Sequence, residues 1–279
     1  MTDPNSPPSR ARHAVTFTRR GAVALGGMLA LTPAASATLG RNALLETLPM
    51  TTPPRTLIVF DVNETLLDID VLEPLFDRIF ATKGRMREWF AQLILYSEAL
   101  SLTGDYVPFG KLGAGVLRML GEIHGVPISD LQVQELGTLI ANLPVHGDVA
   151  AALHRLKDAG FTLVTLTNTP AGSGPDPLDK AGLGQLFDRR FTVDPVRRFK
   201  PTPATYMLVT ETMKVPRADT WLVAAHTWDT IGAQSFGWNA ALVTRGVNAP
   251  LILEGVPRPA VTAAVLTDVA DVIVAHVRG

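Results

Sequence analysis

The sequence contains no cysteine, so disulfides and thiolate metal sites are excluded, and acid, base and nucleophile must come from other side chains. The redox compartment is left open on this ground. A net charge of −1 with no long basic run leaves no electrostatic footprint for nucleic acid and points to a small-molecule substrate. Internal repeats and low-complexity segments are lacking, and no apolar run reaches the ~20 residues that span a bilayer. What remains is a chain of 279 residues, 47% hydrophobic and 18% charged, neither disordered nor fibrous and long enough for a core domain with an insertion.

The N-terminus is a separate element. Thr18-Arg19-Arg20-Gly21 precedes a short apolar run from Ala22 to Leu31, and Ala35-Ser36-Ala37 offers a small-residue cleavage site. Charged start, apolar middle and A-x-A in that order make a secretory signal, and the paired arginines fit the twin-arginine route for prefolded proteins. Residues 1–37 are thus expected to be the signal and 38–55 a Pro-containing linker, giving a periplasmic or secreted protein with no membrane attachment in its mature form. The alternative is translation from Met50, which leaves a cytoplasmic protein with the short leader Met50-Thr51-Thr52-Pro53-Pro54.

The remainder is organised around Leu57-Ile58-Val59-Phe60-Asp61-Val62-Asn63-Glu64-Thr65. Four consecutive apolar residues suit a parallel strand buried on both faces, and Asn63-Glu64-Thr65 supply the turn at its carboxyl end. Ligands bind at that end of an open α/β sheet, which puts Asp61 on the floor of a crevice. The plainer role for an Asp after a strand is as a turn former or helix N-cap. From Val71 the pattern turns helical. Val71, Leu72, Leu75, Phe76, Ile79 and Phe80 share one face, helices follow around Trp89 to Leu100, Leu112 to Ile123 and Ser129 to Leu139, and no convincing strand intervenes before Leu143. Residues 71–144 are expected to form a helical cap over the crevice.

Beyond it, helices (Val149 to Ala159, Pro177 to Leu186, Pro203 to Met213, Thr230 to Phe236) alternate with strands (Phe161 to Leu166, Phe191 to Val193, Trp221 to Ala225, Ala240 to Thr244), closing with an apolar helix from Val261 to Val277. This alternation predicts an α/β core of residues 56–70 and 145–279, a Rossmann-like parallel sheet wrapped by helices on both faces. Three strands end in polar groups: Asp61, then Thr167-Asn168, then His226 to Asp229, with Lys200 opening a helix beside them. Singly, Lys200 reads as a surface cation, Asn168 as a turn former and Asp229 as an N-cap. Together they furnish a crevice at one sheet edge. His226 beside Asp229 fits a neutral water-activating imidazole oriented by that carboxylate, or a satisfied polar residue at a strand end. The other five histidines read as structural or exposed.

From about Thr56 to the C-terminus the sequence resembles the haloacid dehalogenase superfamily, and within it the type II 2-haloacid dehalogenases. The resemblance rests on Phe60-Asp61-Val62 with Thr65-Leu66, Leu166-Thr167-Asn168, Val193-Asp194 with Lys200-Pro201 and Tyr206, and Trp228-Asp229 with Gly232-Ala233 and Phe236-Gly237. It implies a metal-independent, cofactor-free hydrolase in which Asp61 displaces halide from a short 2-haloacid and water then hydrolyses the aspartyl ester. Lys200 would keep Asp61 ionised, Thr65 would orient it, and Asp229 would position and deprotonate the water. Asn168 and Trp228 would cradle the halide, Thr167 would bind the substrate carboxylate, and Tyr206 would bear on Lys200 or the substrate. Departures from the family pattern concern substrate grip. Asn63 and Glu64 replace the usual aromatic and Gly after the nucleophile, His226 stands where an amide helps hold the water, and the segment from Tyr96 to Leu100 lacks the family's cap Arg, for which Arg85 and Arg87 are the nearest candidates.

The alternatives are a Mg²⁺-dependent phosphatase, disfavoured because Asn63 cannot carry a proton to a leaving group, and a non-catalytic binding protein on the same fold. A homodimer through the apolar cap helices is a further expectation.

Overall fold

The computed structural model describes residues 56–172 and 176–278; the expected signal and linker lie outside the described residues. Six parallel strands form a sheet of order β3-β2-β1-β4-β5-β6: β1 Leu57–Phe60, β2 Thr162–Thr167, β3 Arg189–Thr192, β4 Thr220–Ala224, β5 Asn239–Val243 and β6 Val261–Ala263. Strand β1 is central, and all four of its residues are buried because both faces are covered. The chain order reverses between β1 and β4, so the carboxyl ends of those two strands flank a crevice.

Four helices, α1 Glu73–Phe80, α2 Arg85–Thr103, α3 Phe109–His124 and α4 Asp130–Ile140, follow β1 with no strand among them and pack on one another as the cap. Glycines in the left-handed region end α2 and α3, at Gly104 and Gly125, and a capping box between Ser129 and Gln132 starts α4. Trp89 donates to the Gly113 carbonyl at 2.9 Å, locking α2 to α3. The core helices are α5 Val149–Asp158, α6 Pro177–Lys180, α7 Pro203–Met213, α8 Thr227–Phe236 and α9 Leu266–Arg278; α5 packs against α9 and α7 against α8.

Two elements differ from expectation. The closing segment is not one helix: Val261–Ala263 pairs with β5 as an edge strand and the helix begins at Leu266. A three-residue strand is too short to register as alternation, and its Val continues the apolar spacing of the helix behind it. The helix expected from Pro177 to Leu186 stops at Lys180, and a 3-10 turn follows at Gly184–Leu186. Gly182 takes φ 72°, the left-handed conformation that ends a helix, two residues after Lys180.

Candidate active site

Asp61 follows β1 directly and extends its ladder, donating its N–H to the Val223 carbonyl at 3.0 Å. The turn then doubles back, with Leu66 and Leu67 both bonded to the Val62 carbonyl. This brings the Thr65 hydroxyl, as donor, to Asp61 Oδ2 at 2.6 Å, while Thr65 Oγ1 itself accepts the Ala225 N–H at 2.8 Å. Thr65 therefore ties the nucleophile turn to the end of β4. Lys200 Nζ reaches Asp61 Oδ1 at 2.8 Å and Asp229 Oδ2 at 2.6 Å. Its backbone N–H donates to Asn168 Oδ1 at 3.0 Å, which fixes the amide at the end of β2 and leaves the Asn168 NH₂ for the crevice. Tyr206 donates to Asp229 Oδ1 at 2.7 Å.

This packing requires Gly232. A Cβ there would lie 2.4 Å from Pro201 Cβ and 2.5 Å from the Tyr206 oxygen, directly behind Lys200 and Asp229. Gly232→Ala is expected to destabilise the protein by about 1–3 kcal/mol through overpacking. Because the displaced groups hold Lys200, kcat should fall by at least about tenfold even where the variant is fully folded; urea denaturation and steady-state kinetics read the two effects separately.

Lys200 is 1% and Asp229 0% exposed, so their charges persist only as partners. Burial alone would raise the Asp61 carboxyl, but the Lys200 ammonium and the His226 imidazole outweigh it and hold the group well below the usual carboxylate range. Burial opposes the charge on Lys200 as well, and Asp229 and Asp61 together keep it a cation. Asp229 is pushed up, chiefly by burial and by Asp61, against the pull of Lys200. The outcome is an anion at Asp61, next to the crevice, that stays ionised across the neutral range.

A second network, which local sequence patterns do not reveal, stands on the other side of Asp61. Glu64 has φ 64°, the left-handed conformation suited to the Gly that the resemblance expects there, yet it carries a buried carboxylate. Glu64 Oε2 lies 2.8 Å from His226 Nε2, and Glu64 Oε1 is bonded to Arg87, which also binds Asp70. His226 Nδ1 faces Asp61 Oδ2 at 3.4 Å, an ion-pair contact rather than a hydrogen bond, and it has no hydrogen-bond partner of its own. The ring stacks on Trp228 at 5.2 Å and 17° and lies 5.4 Å from Phe90 of the cap. Burial would lower its pKa, but Asp61 and Glu64 raise it to about 9, so the resting group is an imidazolium. Burial raises Glu64, and His226 and Arg87 more than reverse this.

Several expected placements change accordingly. The carboxylate that orients His226 is Glu64, not Asp229. Both Asp229 oxygens are engaged by Lys200 and Tyr206, so Asp229 sits behind Lys200 and off the crevice. Tyr206, fully buried, reaches Asp229 rather than any open space where substrate would bind. Arg87 is consumed by Glu64 and Asp70, and Arg85 pairs with Glu88; neither lines the crevice, so neither stands in for the cap Arg. The crevice wall consists of Asp61, Asn63, Thr167, Asn168, His226 and Trp228 from the core, facing Phe90, Ile94 and Phe109 from the cap. Its free volume is about 10 Å³, roughly the room of one water. Thr167 Oγ1 accepts from the Thr169 N–H, and Asn63 donates to Thr169 Oγ1 at 3.0 Å. Asp61 thus faces the crevice, and Lys200 is within bonding reach of it.

A carboxylate at the end of the central strand, bridged by a buried lysine to a second carboxylate at the start of the helix after β4 and roofed by an inserted cap, defines the class: the chain belongs to the haloacid dehalogenase-like hydrolases, whose family profile matches residues 56–237. Among its relatives are an (S)-2-haloacid dehalogenase of Pseudomonas putida, 30% identical over 67% of this chain and 85% of the relative, and one of Pseudomonas fluorescens, 28% identical over 67% and 83%. In three dimensions it resembles an L-2-haloacid dehalogenase of known structure at 26% identity, TM-score 0.72, over 79% of this chain and 99% of the other, and the L-2-haloacid dehalogenase of Xanthobacter autotrophicus at 25% identity, TM-score 0.67, over 78% and 98%.

Proposed function

We propose that the protein hydrolyses the carbon–halogen bond of short 2-halocarboxylic acids through an ester on Asp61. The observation that carries this is the Asp61 carboxylate, ionised by Lys200 at 2.8 Å and facing a crevice whose other walls include the Asn168 amide and the Trp228 ring. Asp61 attacks C2, the carbon–halogen bond breaks, and halide leaves toward Asn168 and Trp228. The crevice as it stands holds about one water, so substrate entry requires the cap wall of Phe90, Ile94 and Phe109 to draw back. Thr167 and Asn63 are the polar groups placed for the substrate carboxylate.

The second step falls to His226. Esterification removes the negative charge on Asp61, and with it much of what held a proton on Nδ1; Glu64 continues to accept from Nε2. The Nδ1 proton leaves, and water attacks the ester carbonyl of Asp61 while giving its proton to Nδ1. Collapse breaks the acyl–oxygen bond, the second proton of the water passes to the departing oxygen, and the 2-hydroxyacid leaves with the carboxylate and imidazolium restored. One halide and one proton are released per turnover, which balances the hydrolysis.

Single-turnover mass spectrometry in H₂¹⁸O with 2-chloropropionate, alongside Asp61→Asn, tests the proposal. Halide release with label in the Asp61 carboxylate of the wild type, and neither in the variant, is the expected result. Absence of both in the wild type would sink it, and a Mg²⁺-dependent phosphate-ester screen would then separate a phosphatase from a binding protein.

A further inference from the structure

A larger cavity adjoins the nucleophile crevice. It has a volume of about 210 Å³ and lies among α2, α3, α4 and the start of the cap. Asn63, Phe90 and Phe109 line both spaces, so three shared side chains separate them. The polar side chains on the larger cavity's wall are Asn63 and Thr169, bonded to each other at the end nearest Asp61. The rest is apolar, with Trp89, Leu93, Leu136 and Ile140 among its residues. Exposed glycines, Gly110 on α3 and Gly137 on α4, form part of its rim.

Walls around unfilled apolar space forgo dispersion contacts, so a cavity of this size is a standing cost to the cap unless something occupies it. An apolar cavity of roughly 150 Å³ suffices to bind benzene. One polar end beside the nucleophile and one long apolar end is the shape of an amphiphilic acid. Its carboxylate and halogen would occupy the crevice and its chain would pass between Phe90 and Phe109.

We infer that this cavity holds the apolar chain of the substrate, and that the enzyme prefers 2-halocarboxylic acids bearing an alkyl or aryl group of about six carbons over the shortest members of that class. This rests on the dehalogenase function proposed above and names the substrate class of the same site. Phe90 and Phe109 become specificity-determining side chains, since the chain must displace them to pass from one space to the other.

The test is a chain-length series, 2-bromopropionate through 2-bromohexanoate and 2-bromooctanoate, read as halide release by the full chain. Each methylene buried should raise kcat/KM by about fourfold until the cavity is filled. Unhalogenated octanoate should compete with 2-bromopropionate at least about tenfold better than propionate does. Gly137→Leu adds a side chain at the cavity's rim, at a position where a Cβ would meet nothing within 4 Å. It should lower the ratio of kcat/KM for 2-bromooctanoate to that for 2-bromopropionate by about tenfold or more. Release of halide from 2-bromopropionate with a flat or falling series overturns the inference and leaves the dehalogenase function standing. Release from none of the acids overturns that function, and the inference with it.

Discussion

Lys200→Met is expected to destabilise the protein by about 3–5 kcal/mol at neutral pH and to lower kcat/KM by about 10²–10³-fold or more. Methionine roughly matches the lysine in length, so the loss is not one of volume. It leaves Asp61 and Asp229, bridged through one ammonium at 2.8 and 2.6 Å, as two buried carboxylates with no cation between them. Like charges in a buried site cannot both ionise at low cost, so one carboxyl must take up a proton. The sign of the pH effect follows. In the variant the folded state holds a carboxyl whose pKa lies above its unfolded value, so the variant gains stability as pH falls toward about 5 and its deficit against wild type narrows. Urea midpoints at pH 5 and pH 8 measure this. Lys200→Met combined with Asp229→Asn should recover part of the stability and none of the activity, because Asp61 still lacks the ammonium that keeps it a nucleophile. A single variant that folds normally at pH 8 and turns over at more than about a tenth of the wild-type rate would falsify the role given to Lys200.

The parts of this centre that sequence revealed are those whose chemistry is written within one segment. The run from Leu57 to Phe60 ends at a carboxylate, so strand and nucleophile position come together. Thr167-Asn168 and His226-to-Asp229 end their strands in the same way, and the parallel pairing of β1 with β2 and β4 sets these ends beside Asp61. Glu64 and His226 were each visible as departures from the family pattern, but they are 162 positions apart, and no local periodicity links a turn residue after β1 to the residue after β4. The available signal was their joint occurrence: an acid replacing Gly and an imidazole replacing an amide, at two strand ends that a parallel sheet sets side by side. Arg87 is a candidate for the cap Arg by nearness in sequence, yet its partners Glu64 and Asp70 lie 23 and 17 positions away while Glu88 is adjacent, so sequence nearness does not point to them. The resemblance marks Tyr206 as a site residue, but it does not say on which side of Asp229 the phenol lies. The edge strand Val261–Ala263 is not legible in the sequence because a strand of three residues has no period of its own.

His226→Gln is expected to separate the two half-reactions. Asp61 and Lys200 remain, so halide should be released in a burst of about one equivalent per active site. Turnover should then fall by about 10²–10⁴-fold, the range of a lost general base. The ester accumulates and is seen in the intact-protein mass. Glu64→Gln should produce a milder form of the same defect, since its amide still accepts from Nε2 but no longer supplies charge. Stability gives an independent check. The folded His226 pKa, about 9, lies above the ordinary 6.5, so its ion pairs contribute fully below pH 6.5 and are lost as pH rises through about 9. That contribution is on the order of 3 kcal/mol. The wild-type Tm should therefore drop between pH 7 and pH 10 by more than that of His226→Gln, and Glu64→Gln should shift the drop to lower pH because half of the counter-charge on the ring is gone. If His226→Gln instead turns over repeatedly at close to the wild-type rate with no ester in the mass spectrum, water activation does not pass through the imidazole. The carboxylate nearest that task would then be Asp229, which would first have to leave Tyr206 and Lys200 to reach the ester.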